Sequence, residues 1–556
     1  MNLLGRVTEK KFWQEVREKD CYAKFREKYL ERWAEECEDN AISSLKYSDW
    51  AEFWKSGKRI ECNYFGARQQ MMAAVFLSLI YPEEEKYLIR AMDQIFAICN
   101  EYTWCVPAHY GQPIGGNRAK IDLFAAETAL GLAEVYVLLE DRLDEFIKLR
   151  IREELERRIV NSMAETEKFG FESMSNNWSS VCTASVAGAI MLLFPERFEE
   201  FKPRFDAAME LFLSGYRDDG VCLEGATYWG YGFGFFTIYA EMVKIFTDGK
   251  VNYYDREKVK NIATFMQKTF LSGNACVSFS DGARTGGFNV GLLHYLKGLY
   301  PDDVVLYESE FYTKRDGCAR FAMALMTVAR FREDFYNNPE DAVAETTFYA
   351  ESSQWFIKRT PAFGFAAKGG NNKEPHNHND VGSFIFAKNG EQVLVDLGAG
   401  AYTKQYFSGE RYKTFQACSR SHSVPIVGGS YQKNGPQHRA DEVSYADGVF
   451  TMNIASAYPI EGLNQLKRTF TVLDDGISLT DKIDYIGEGC VTERFVTLRE
   501  PVIAEGEITL ADTVIYFDGN LAKPYVTEEV LSSGAVCYLI NFDLPNGTDS
   551  FTLTVK

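Results

Sequence analysis

The N-terminal part of the chain has a helical period of apolar positions. From about residue 8 to residue 330, amphipathic and largely apolar stretches alternate, separated by short breaks that contain Gly, Pro or Asp. Residues 121–139 and 182–193 carry small and large apolar side chains at helical spacing, and residues 152–163 form a charged helix with an apolar stripe. Paired helices of this kind bury a shared inner face, which predicts a helical toroid or solenoid. No strict repeat is present, so a regular array is not indicated.

The period changes to two near residue 345. Segments such as RTFTVLDDGISLTDKIDY and ITLADTVIYFDG alternate apolar and polar residues and are separated by tight-turn signals, namely Asn389-Gly390, Asp475-Gly476, Asp518-Gly519 and Asn546-Gly547. Many short antiparallel strands predict a β-sandwich. We therefore predict an α+β multidomain protein with a helical domain at residues 1–340, an antiparallel sandwich at 341–556, and a join within 337–344.

The composition of the chain limits the classes of molecule that the protein is expected to bind. Lys and Arg number 60 against 79 Asp and Glu, a net charge of −19, which disfavours general binding to nucleic acid or to an anionic membrane. No uninterrupted apolar run approaches the roughly 20 residues of a membrane span. The first 20 residues lack an apolar signal segment, and the 12 cysteines include no CxxC pair. These features predict reduced thiols and a cytoplasmic location. They leave a homo-oligomer open.

Histidine is scarce, and two of the six lie within five residues, in the segment HNHND at 376–380. The charge and the metal affinity of a histidine side chain are easily tuned near neutral pH, so this pair is a candidate for an active site. Histidines in a loop can also be merely solvated. The turn at Asn389-Gly390 should pair Lys388 with Glu391 and place Asp396 opposite Ser383. Asp396 would thereby return to the end of the hairpin at which the histidine segment enters.

Three side chains then form a candidate metal site. His378, Asp396 and His422 supply two imidazoles and one carboxylate, a ligand set that suits zinc. Taken singly, Asp396 could instead be a strand-end turn residue and His422 a satisfied core or surface histidine. The loop between them carries several aromatic and basic residues, Tyr402, Tyr406, Arg411 and Tyr412.

Four segments resemble the heparinase II/III-like polysaccharide lyases. They are HNHNDVGSFIFAKNGEQVLVDLGAGAY, SRSHSVPIVGGSYQ, NNWSSVCTASVAGA and GVCLEGATYWGYGFGF, and they span both halves of the chain in the order of that family. The resemblance implies an incomplete (α/α) toroid followed by an antiparallel β-sandwich. It also implies β-elimination on uronic-acid glycans, such as a glycosaminoglycan or alginate, with 4,5-unsaturated products. A zinc ion would then be structural, holding the loops of the β half in place.

This elimination sets three chemical demands. A catalyst must neutralise the uronate carboxylate, remove the weakly acidic C5 proton and protonate the departing glycosidic oxygen. By the resemblance, Asn177 neutralises the carboxylate, although Asn177 could equally be a helix N-cap. Tyr228 is assigned as base and acid, with Tyr231 in reserve; a tyrosine of lowered pKa suits the base. His376 is assigned to carboxylate neutralisation or proton transfer.

Further residues are candidates for substrate binding. Glu224 precedes the two tyrosines and is placed to orient one of them by hydrogen bonding. Trp178 stands where some relatives carry a histidine, which leaves activity on both uronate epimers in doubt. Arg411 suits bidentate binding of a carboxylate or sulfate. The predicted set is Arg68, Trp104, His109, Trp178, Glu224, Trp229 and Arg411.

Two other functions remain open from the sequence. A glycoside hydrolase on a similar toroid would need two carboxylates that flank the scissile bond, and Glu224 and Asp281 are the candidates. A non-catalytic carbohydrate-binding protein on a decayed lyase scaffold is the other alternative.

Overall fold

The computed structural model describes residues 2–27, 34, 41–56, 62–110, 118–287, 289–306, 316–336, 345–403 and 405–556. The chain divides into two compact units. The helical unit comprises residues 1–215, 230–259 and 287–339, and the β unit comprises 216–229, 260–286 and 340–556. The predicted join at 337–344 lies outside the described residues.

The helical unit is built from α-helices that pack against one another. Its helices are Lys10–Glu18, Ala23–Arg26, Tyr47–Ser56, Cys62–Ile80, Glu85–Cys99, Pro107–Tyr110, Leu123–Leu138, Glu145–Leu155, Asn161–Glu165, Asn177–Leu193, Phe198–Ser214, Gly234–Phe246, Val290–Leu299, Phe321–Ala329 and Glu333–Tyr336, while Glu257–Ala263 crosses into the β unit. Among the described residues, no helix is both long and apolar enough to cross a membrane.

The helices Leu123–Leu138 and Asn177–Leu193 form the centre of this unit. Both are buried on nearly every face, which explains why their sequences are apolar all round rather than amphipathic. They approach closely because Gly188 has no side chain: a Cβ there would lie 2.8 Å from Leu130 Cδ1. Asp122 begins the first of them by accepting a hydrogen bond from the Ala125 N–H at 2.7 Å.

The β unit consists of antiparallel sheets around one apolar core. Its strands are β1 Phe270–Ser272, β2 Ala275–Cys276, β3 Thr346–Ala350, β4 Trp355–Arg359, β5 Gly364–Lys368, β6 Asn371–Asn372, β7 Phe384–Lys388, β8 Glu391–Leu394, β9 Ile426–Val427, β10 Gly435–Arg439, β11 Asp441–Ala446, β12 Val449–Asn453, β13 Leu463–Val472, β14 Ile477–Tyr485, β15 Val491–Thr497, β16 Val502–Ala504, β17 Glu507–Leu510, β18 Thr513–Phe517, β19 Pro524–Val530, β20 Val536–Asp543 and β21 Ser550–Val555. The main sheets have the strand orders β11-β12-β13-β14-β21-β18-β17-β16, β19-β20-β15-β9 and β3-β4-β5-β7-β8.

The sheets pack through aromatic side chains. Phe365 of β5 lies 5.2 Å from Phe470 of β13, and Phe384 of β7 lies 6.2 Å from Phe495 of β15, measured between ring centroids. These residues are fully buried and belong to one continuous cluster. The inward-facing positions of three sheets therefore share a single core, as expected of a sandwich.

The β7–β8 hairpin follows the prediction only near its turn. Asn389 and Gly390 both have positive φ, +49° and +83°, and Lys388 pairs with Glu391 as predicted. A register shift then brings Phe386 opposite Leu394, so the predicted pairing of Asp396 with Ser383 is wrong. Asp396 lies two residues beyond the end of β8, in the chain that leaves the strand.

Two segments that precede residue 340 belong to the β unit. Residues 216–229 include the short helix Ala226–Tyr228, and residues 260–286 include the helix Phe265–Thr269 and the β1–β2 ribbon. The bend after β2, Ser278–Gly282, is held by its own side chains. Ser280 Oγ donates to the Leu223 carbonyl and Ser278 Oγ donates to the Asp396 carbonyl, each at 2.8 Å.

Candidate active site and metal centre

His376 lies at the centre of a cluster within the β unit. Its Nδ1 is 2.8 Å from Asp281 Oδ2, and its Nε2 is 3.4 Å from Glu224 Oε2. The imidazole stacks on the ring of Tyr228, with 4.2 Å between centroids and 25° between planes. The backbone of His376 has a φ of +54°, a conformation that non-glycine residues rarely adopt and that is common at functional sites. Thus His376, Tyr228 and Glu224, all sequence candidates, are brought together.

Among the described residues, the hydroxyl of Tyr228 contacts one other tyrosine hydroxyl, that of Tyr402. Tyr228 Oη lies 2.9 Å from Tyr402 Oη, and the Tyr402 hydroxyl donates to Asp281 Oδ2 at 3.3 Å. Burial raises the pKa of Tyr228, the hydrogen bond shared with Tyr402 partly offsets this rise, and the nearby Asp281 and Glu224 charges add to it. This direction is opposite to the lowered pKa that would suit a tyrosine base and favours a protonated Tyr228.

Asp281 is the most heavily hydrogen-bonded side chain of the cluster. Its Oδ2 accepts hydrogen bonds from His376 and Tyr402. Its Oδ1 accepts hydrogen bonds from His378 Nε2 at 3.1 Å, from Arg411 Nη2 at 2.9 Å and from the hydroxyl of Tyr406. Burial alone would raise the pKa of this carboxyl, but the hydrogen bonds from the two histidines and the charge of Arg411 hold it well below its usual range. Asp281 is therefore an ionised, fully buried hub.

The backbone around Asp281 is tightly constrained. Ser280 has a φ of +61°, again in the left-handed region. Gly398 lies against Gly282, the residue after Asp281: a Cβ on Gly398 would lie only 2.1 Å from the Gly282 carbonyl oxygen. The absence of a side chain at Gly398 thus allows the chain after Asp396 to lie directly against the Asp281 bend.

The predicted metal ligands form a buried group. One ligand atom from each of His378, Asp396 and His422 lies within 4.8 Å of the others, and all three side chains are fully buried. This group could hold a metal ion. The electrostatics fit a cation: burial and the neighbouring His422 lower the pKa of His378, while Asp396 carries a negative charge.

The Nδ1 atoms of His378 and His422 also fit a cation. His378 Nδ1 is buried and has no hydrogen-bond partner among the described residues. His422 Nε2 faces the Gln416 carbonyl at 3.0 Å and must donate to it, so in a neutral ring the Nδ1 lone pair would face Asp396 Oδ2 at 3.1 Å. A lone pair against a carboxylate is repulsive unless a proton or a metal ion lies beside it.

Arg411 is already occupied in this structure. Its guanidinium donates to Asp281 Oδ1 at 2.9 Å and to the His376 carbonyl at 3.0 Å, and it lies 4.1 Å from the centroid of Tyr406. The guanidinium therefore braces the histidine loop. The expected bidentate contact with a substrate carboxylate or sulfate would require Arg411 to exchange these partners.

In the helical unit, the N-terminus of the helix Asn177–Leu193 separates two roles that the sequence left open. Asn176 is the N-cap, because its side chain accepts a hydrogen bond from the Trp178 N–H at 3.1 Å. Asn177 is the first helical residue and is 3% exposed. Its amide is therefore not used as the N-cap and stays a candidate for substrate binding.

Trp178 and His109 lie side by side in the same unit. Their rings are 4.9 Å apart, and His109 also stacks on Phe124 at 5.7 Å. His109 Nδ1 is 2.8 Å from Asp122 Oδ2. Trp178 is partly exposed and so remains available to a ligand.

Other predicted binding residues are engaged within the fold. Tyr231 donates to the buried Glu127 and lies under the Arg320 guanidinium at 4.1 Å, and Arg68 pairs with Glu101. Because its hydroxyl is committed to a buried carboxylate, Tyr231 is a poorer candidate for proton transfer than Tyr228.

Trp104 and Trp229 are core residues, each 1% exposed. Their indole N–H groups donate to the carbonyls of Ile98 and Ile262, so both polar atoms are satisfied internally. This burial does not favour the predicted role of Trp104 and Trp229 in substrate binding, since a sugar could not reach the rings without displacing the core.

The sequence missed Tyr402 and Tyr406 as members of the cluster and considered Asp281 only as a hydrolytic carboxylate. The available signal was weak: a glycine-flanked loop after Asp396 carries several tyrosines, and SFSDGAR is a polar break next to glycine. Neither pattern states which distant histidine these side chains contact.

No family model matches this chain, and no curated protein matches it. Solved structures of similar fold are polysaccharide lyases. The heparan sulfate lyase HepC from Pedobacter heparinus aligns with a TM-score of 0.61 at 12% identity, covering 100% of this chain and 87% of that one. A structure of heparinase III gives 0.62 at 13% identity, covering 100% and 86%. The Streptomyces coelicolor A3 chondroitin AC lyase, in complex with chondroitin sulphate, gives 0.57 at 12% identity, covering 99% and 82%.

These likenesses confirm the predicted fold class, a helical (α/α) toroid followed by an antiparallel β-sandwich. They agree with the resemblance to heparinase-type lyases that the sequence motifs indicate. At this level of identity they establish architecture, and chemistry must be argued from the site.

Proposed function

We propose that this protein is a polysaccharide lyase that cleaves uronate-containing glycans by β-elimination and leaves a 4,5-unsaturated sugar. The observation that carries the proposal is the stacked pair of Tyr228 and His376, a phenol and an imidazole whose ring centroids lie 4.2 Å apart. Proton removal at C5 and proton delivery to the glycosidic oxygen occur on neighbouring atoms of the substrate. The names of the structurally similar proteins, which are lyases of heparan and chondroitin glycans, support the same reaction class.

His376 has the geometry to serve the substrate carboxylate or the C5 proton. Its Nδ1 contacts Asp281 at 2.8 Å, and its Nε2 makes, among the described residues, a longer contact to Glu224 at 3.4 Å. A protonated ring would neutralise the uronate carboxylate, and a neutral ring would accept the proton at Nε2. For Asn177 of the helical unit, carboxylate neutralisation stays a proposal that rests on the sequence resemblance alone.

Tyr228 is proposed as the acid, and as the base where its own proton can leave first. Because burial raises the pKa of its phenol, Tyr228 keeps a proton, which it would transfer to the departing oxygen after giving up its hydrogen bond to Tyr402. The base role requires that this proton pass to an acceptor first, and the contact with Tyr402 provides the only hydroxyl partner recorded for Tyr228 among the described residues.

A zinc ion is proposed at His378, Asp396 and His422, where the donor set and the unpartnered His378 Nδ1 fit it. When bound, it would supply a fixed positive charge that ties the three ligand-bearing segments together. The chain itself keeps these segments close: the Asn379 N–H donates to the Ala417 carbonyl at 3.0 Å. Elemental analysis of protein purified without added zinc tests this assignment directly.

The hydrolase alternative is less well supported. Its two nominated carboxylates would have to reach the glycosidic bond from either side. Asp281 is fully buried and accepts hydrogen bonds from five side chains, so neither oxygen is free for a sugar. Glu224 remains, but a single carboxylate does not complete that mechanism.

The test is incubation with a panel of defined uronate oligosaccharides, including heparan sulfate, chondroitin and alginate fragments. Elimination creates a conjugated product that absorbs in the near ultraviolet, whereas hydrolysis yields new reducing ends without it. Tyr228→Phe should abolish turnover and preserve oligosaccharide binding, while the control Tyr445→Phe, at a partly buried ring that packs against the sandwich core, should behave as wild type. Binding without turnover by the wild type would favour the non-catalytic alternative, and reducing ends without absorbance would favour a hydrolase.

A further inference from the structure

We infer that Asp281 is a positioning residue that fixes the tautomers of two histidines at once and thereby links the metal centre to His376. The inference rests on the proposed function for the role of His376 and on the proposed metal site for the role of His378. Its physical content is that one carboxylate offers one oxygen to each ring: Oδ1 to His378 and Oδ2 to His376.

The tautomer of His378 follows from its two nitrogens. Nε2 lies 3.1 Å from Asp281 Oδ1 and 3.1 Å from the Tyr406 hydroxyl, which itself donates to that same carboxylate oxygen. A bare Nε2 would turn its lone pair toward the carboxylate, and the proton would then sit on Nδ1, which is buried without an acceptor. Nε2 therefore carries the proton, and the Nδ1 lone pair is left for a metal ion.

The tautomer of His376 follows in the same way. Nδ1 donates to Asp281 Oδ2 at 2.8 Å, which leaves Nε2 as the nitrogen that can change its protonation. The positive φ of both Ser280 and His376 shows that the backbone on each side of this contact is held in an uncommon conformation. Such conformations persist only where surrounding contacts enforce them.

A cation bound to His378 Nδ1 would change the hydrogen bond between Asp281 and His376. Metal binding withdraws electron density from the ring and makes the Nε2–H a stronger donor to Asp281 Oδ1. The carboxylate then shares more of its charge with His378 and less with His376, since hydrogen bonds in one network polarise each other. Metal binding should therefore change the electron distribution of the His376 ring, and with it the ring nitrogen signals, although His376 is not a metal ligand.

The first experiment uses the wild-type chain. Selective ¹⁵N labelling of histidine gives six ring systems, which are assigned by single His→Gln variants. In the metal-free protein we expect the proton on Nδ1 of His376 and on Nε2 of His378. Addition of Zn²⁺ should shift the signals of His378, His422 and His376 and leave His109, His294 and His438 unchanged. An unmoved His376 signal, or the opposite tautomer at either ring, would overturn the inference.

The second experiment replaces Asp281 by Asn, which keeps one acceptor oxygen and turns the other into a donor. We expect zinc affinity, measured by competition with a chromophoric chelator, to fall about 10- to 100-fold. The zinc-induced shift at His376 should disappear. The matched control is Asp219→Asn, since Asp219 lies in the same unit and accepts hydrogen bonds from Ser353 instead of from the site.

A purely structural role for Asp281 predicts a different result. It would lower the melting temperature of the metal-free and zinc-bound proteins equally and leave the zinc affinity and the His376 response intact. That outcome would contradict the inference. Neither experiment requires a substrate, so absence of lyase activity would refute the proposed function without touching the coupling between the two histidines.

Discussion

Tyr228 and Tyr402 share a hydrogen bond between their hydroxyl oxygens at 2.9 Å, across 174 residues of sequence. Tyr402 passes the contact on to Asp281 Oδ2, so a chain of two phenols ends on an ionised carboxylate. Burial raises the pKa of Tyr402 as well, and the neighbouring Tyr228 and Asp281 raise it further. Both phenols are therefore protonated in the resting protein, and Tyr402 orients the hydroxyl on which the proposed chemistry depends.

Tyr402→Phe should reduce kcat about 10- to 100-fold, below the 10²- to 10⁴-fold contribution typical of a direct acid or base. The reason is that Tyr228 loses its hydroxyl partner but keeps its own proton. KM should change little, because the phenyl ring and its packing on Phe407 remain. Initial rates in the ultraviolet assay measure both constants, with Tyr445→Phe as the control. A kcat equal to that of wild type would show that Tyr402 does not position Tyr228.

The two roles of Tyr228 can be separated with a substrate that has a better leaving group. Tyr228→Phe should lose nearly all activity on a natural 4-O-linked glycan. On a uronate whose C4 substituent leaves without protonation, such as fluoride, an acid-only Tyr228 predicts activity near that of wild type. Loss of activity on both substrates would assign the base role to Tyr228 as well. In that case His376→Gln should retain measurable proton abstraction at C5, followed by hydrogen exchange.

The parts of the site that could be predicted are those set by local pattern. The Asn389-Gly390 turn requires two positive φ values, and Asn and Gly adopt them readily, so the return of the chain from His378 toward Asp396 could be read from the sequence. His422 lies in the next loop. The metal group needs only this one hairpin and its neighbour, and His378, Asp396 and His422 were indeed found together.

The remainder depends on contacts between segments that are far apart in sequence. The hydrogen bond between Asp281 and His376 spans 95 residues, and the stack of Tyr228 on His376 joins an aromatic, glycine-rich segment to a β-hairpin loop. No period or spacing encodes such pairings. The same limit explains Trp229, which sits in a promising motif but whose indole donates to the Ile262 carbonyl inside the core.

A buried arginine holds two of the ligand-bearing loops. Arg468 Nη1 donates to the Gly382 carbonyl at 3.0 Å and to the Ser423 carbonyl at 2.7 Å, while its other nitrogens bind Asp481, and Nη2 also donates to Glu493 at 3.2 Å. Arg468→Met should destabilise the β unit by about 3–5 kcal/mol, because it leaves Asp481 as a buried, unpaired charge. Denaturant unfolding followed by tyrosine and tryptophan fluorescence measures the change.

The double variant Arg468→Met with Asp481→Leu is the matched comparison. Removing both partners eliminates the charges of Arg468 and Asp481, and burial raises the pKa of the remaining Glu493 and so disfavours its ionisation. Most of the lost stability should therefore return. The two carbonyls would still lack their donor, so zinc affinity should stay below that of wild type even in the double variant. Full recovery of both properties would show that Arg468 serves only to neutralise Asp481.

Glu374 gives the β unit a pH-dependent stability. Burial raises the pKa of its carboxyl to about 7; Lys368, 4.0 Å away, opposes the rise and Asp380 adds to it. In the unfolded chain the carboxyl regains an ordinary pKa near 4.5. Between these two values the folded protein binds more protons than the unfolded one, so stability falls as the pH rises from about 4.5 to about 7.

Glu374→Gln should remove this dependence. The variant and the wild type should be most alike below pH 4.5, where both side chains are neutral, and the variant should gain relative stability up to about pH 7. A shift of this size corresponds to about 3 kcal/mol at full ionisation. Melting temperatures of metal-free protein at pH 4.5, 5.5, 6.5 and 7.5 measure the trend, with the exposed Glu528→Gln as control. A constant difference between variant and wild type across this range would mean that Glu374 does not ionise differently in the folded state.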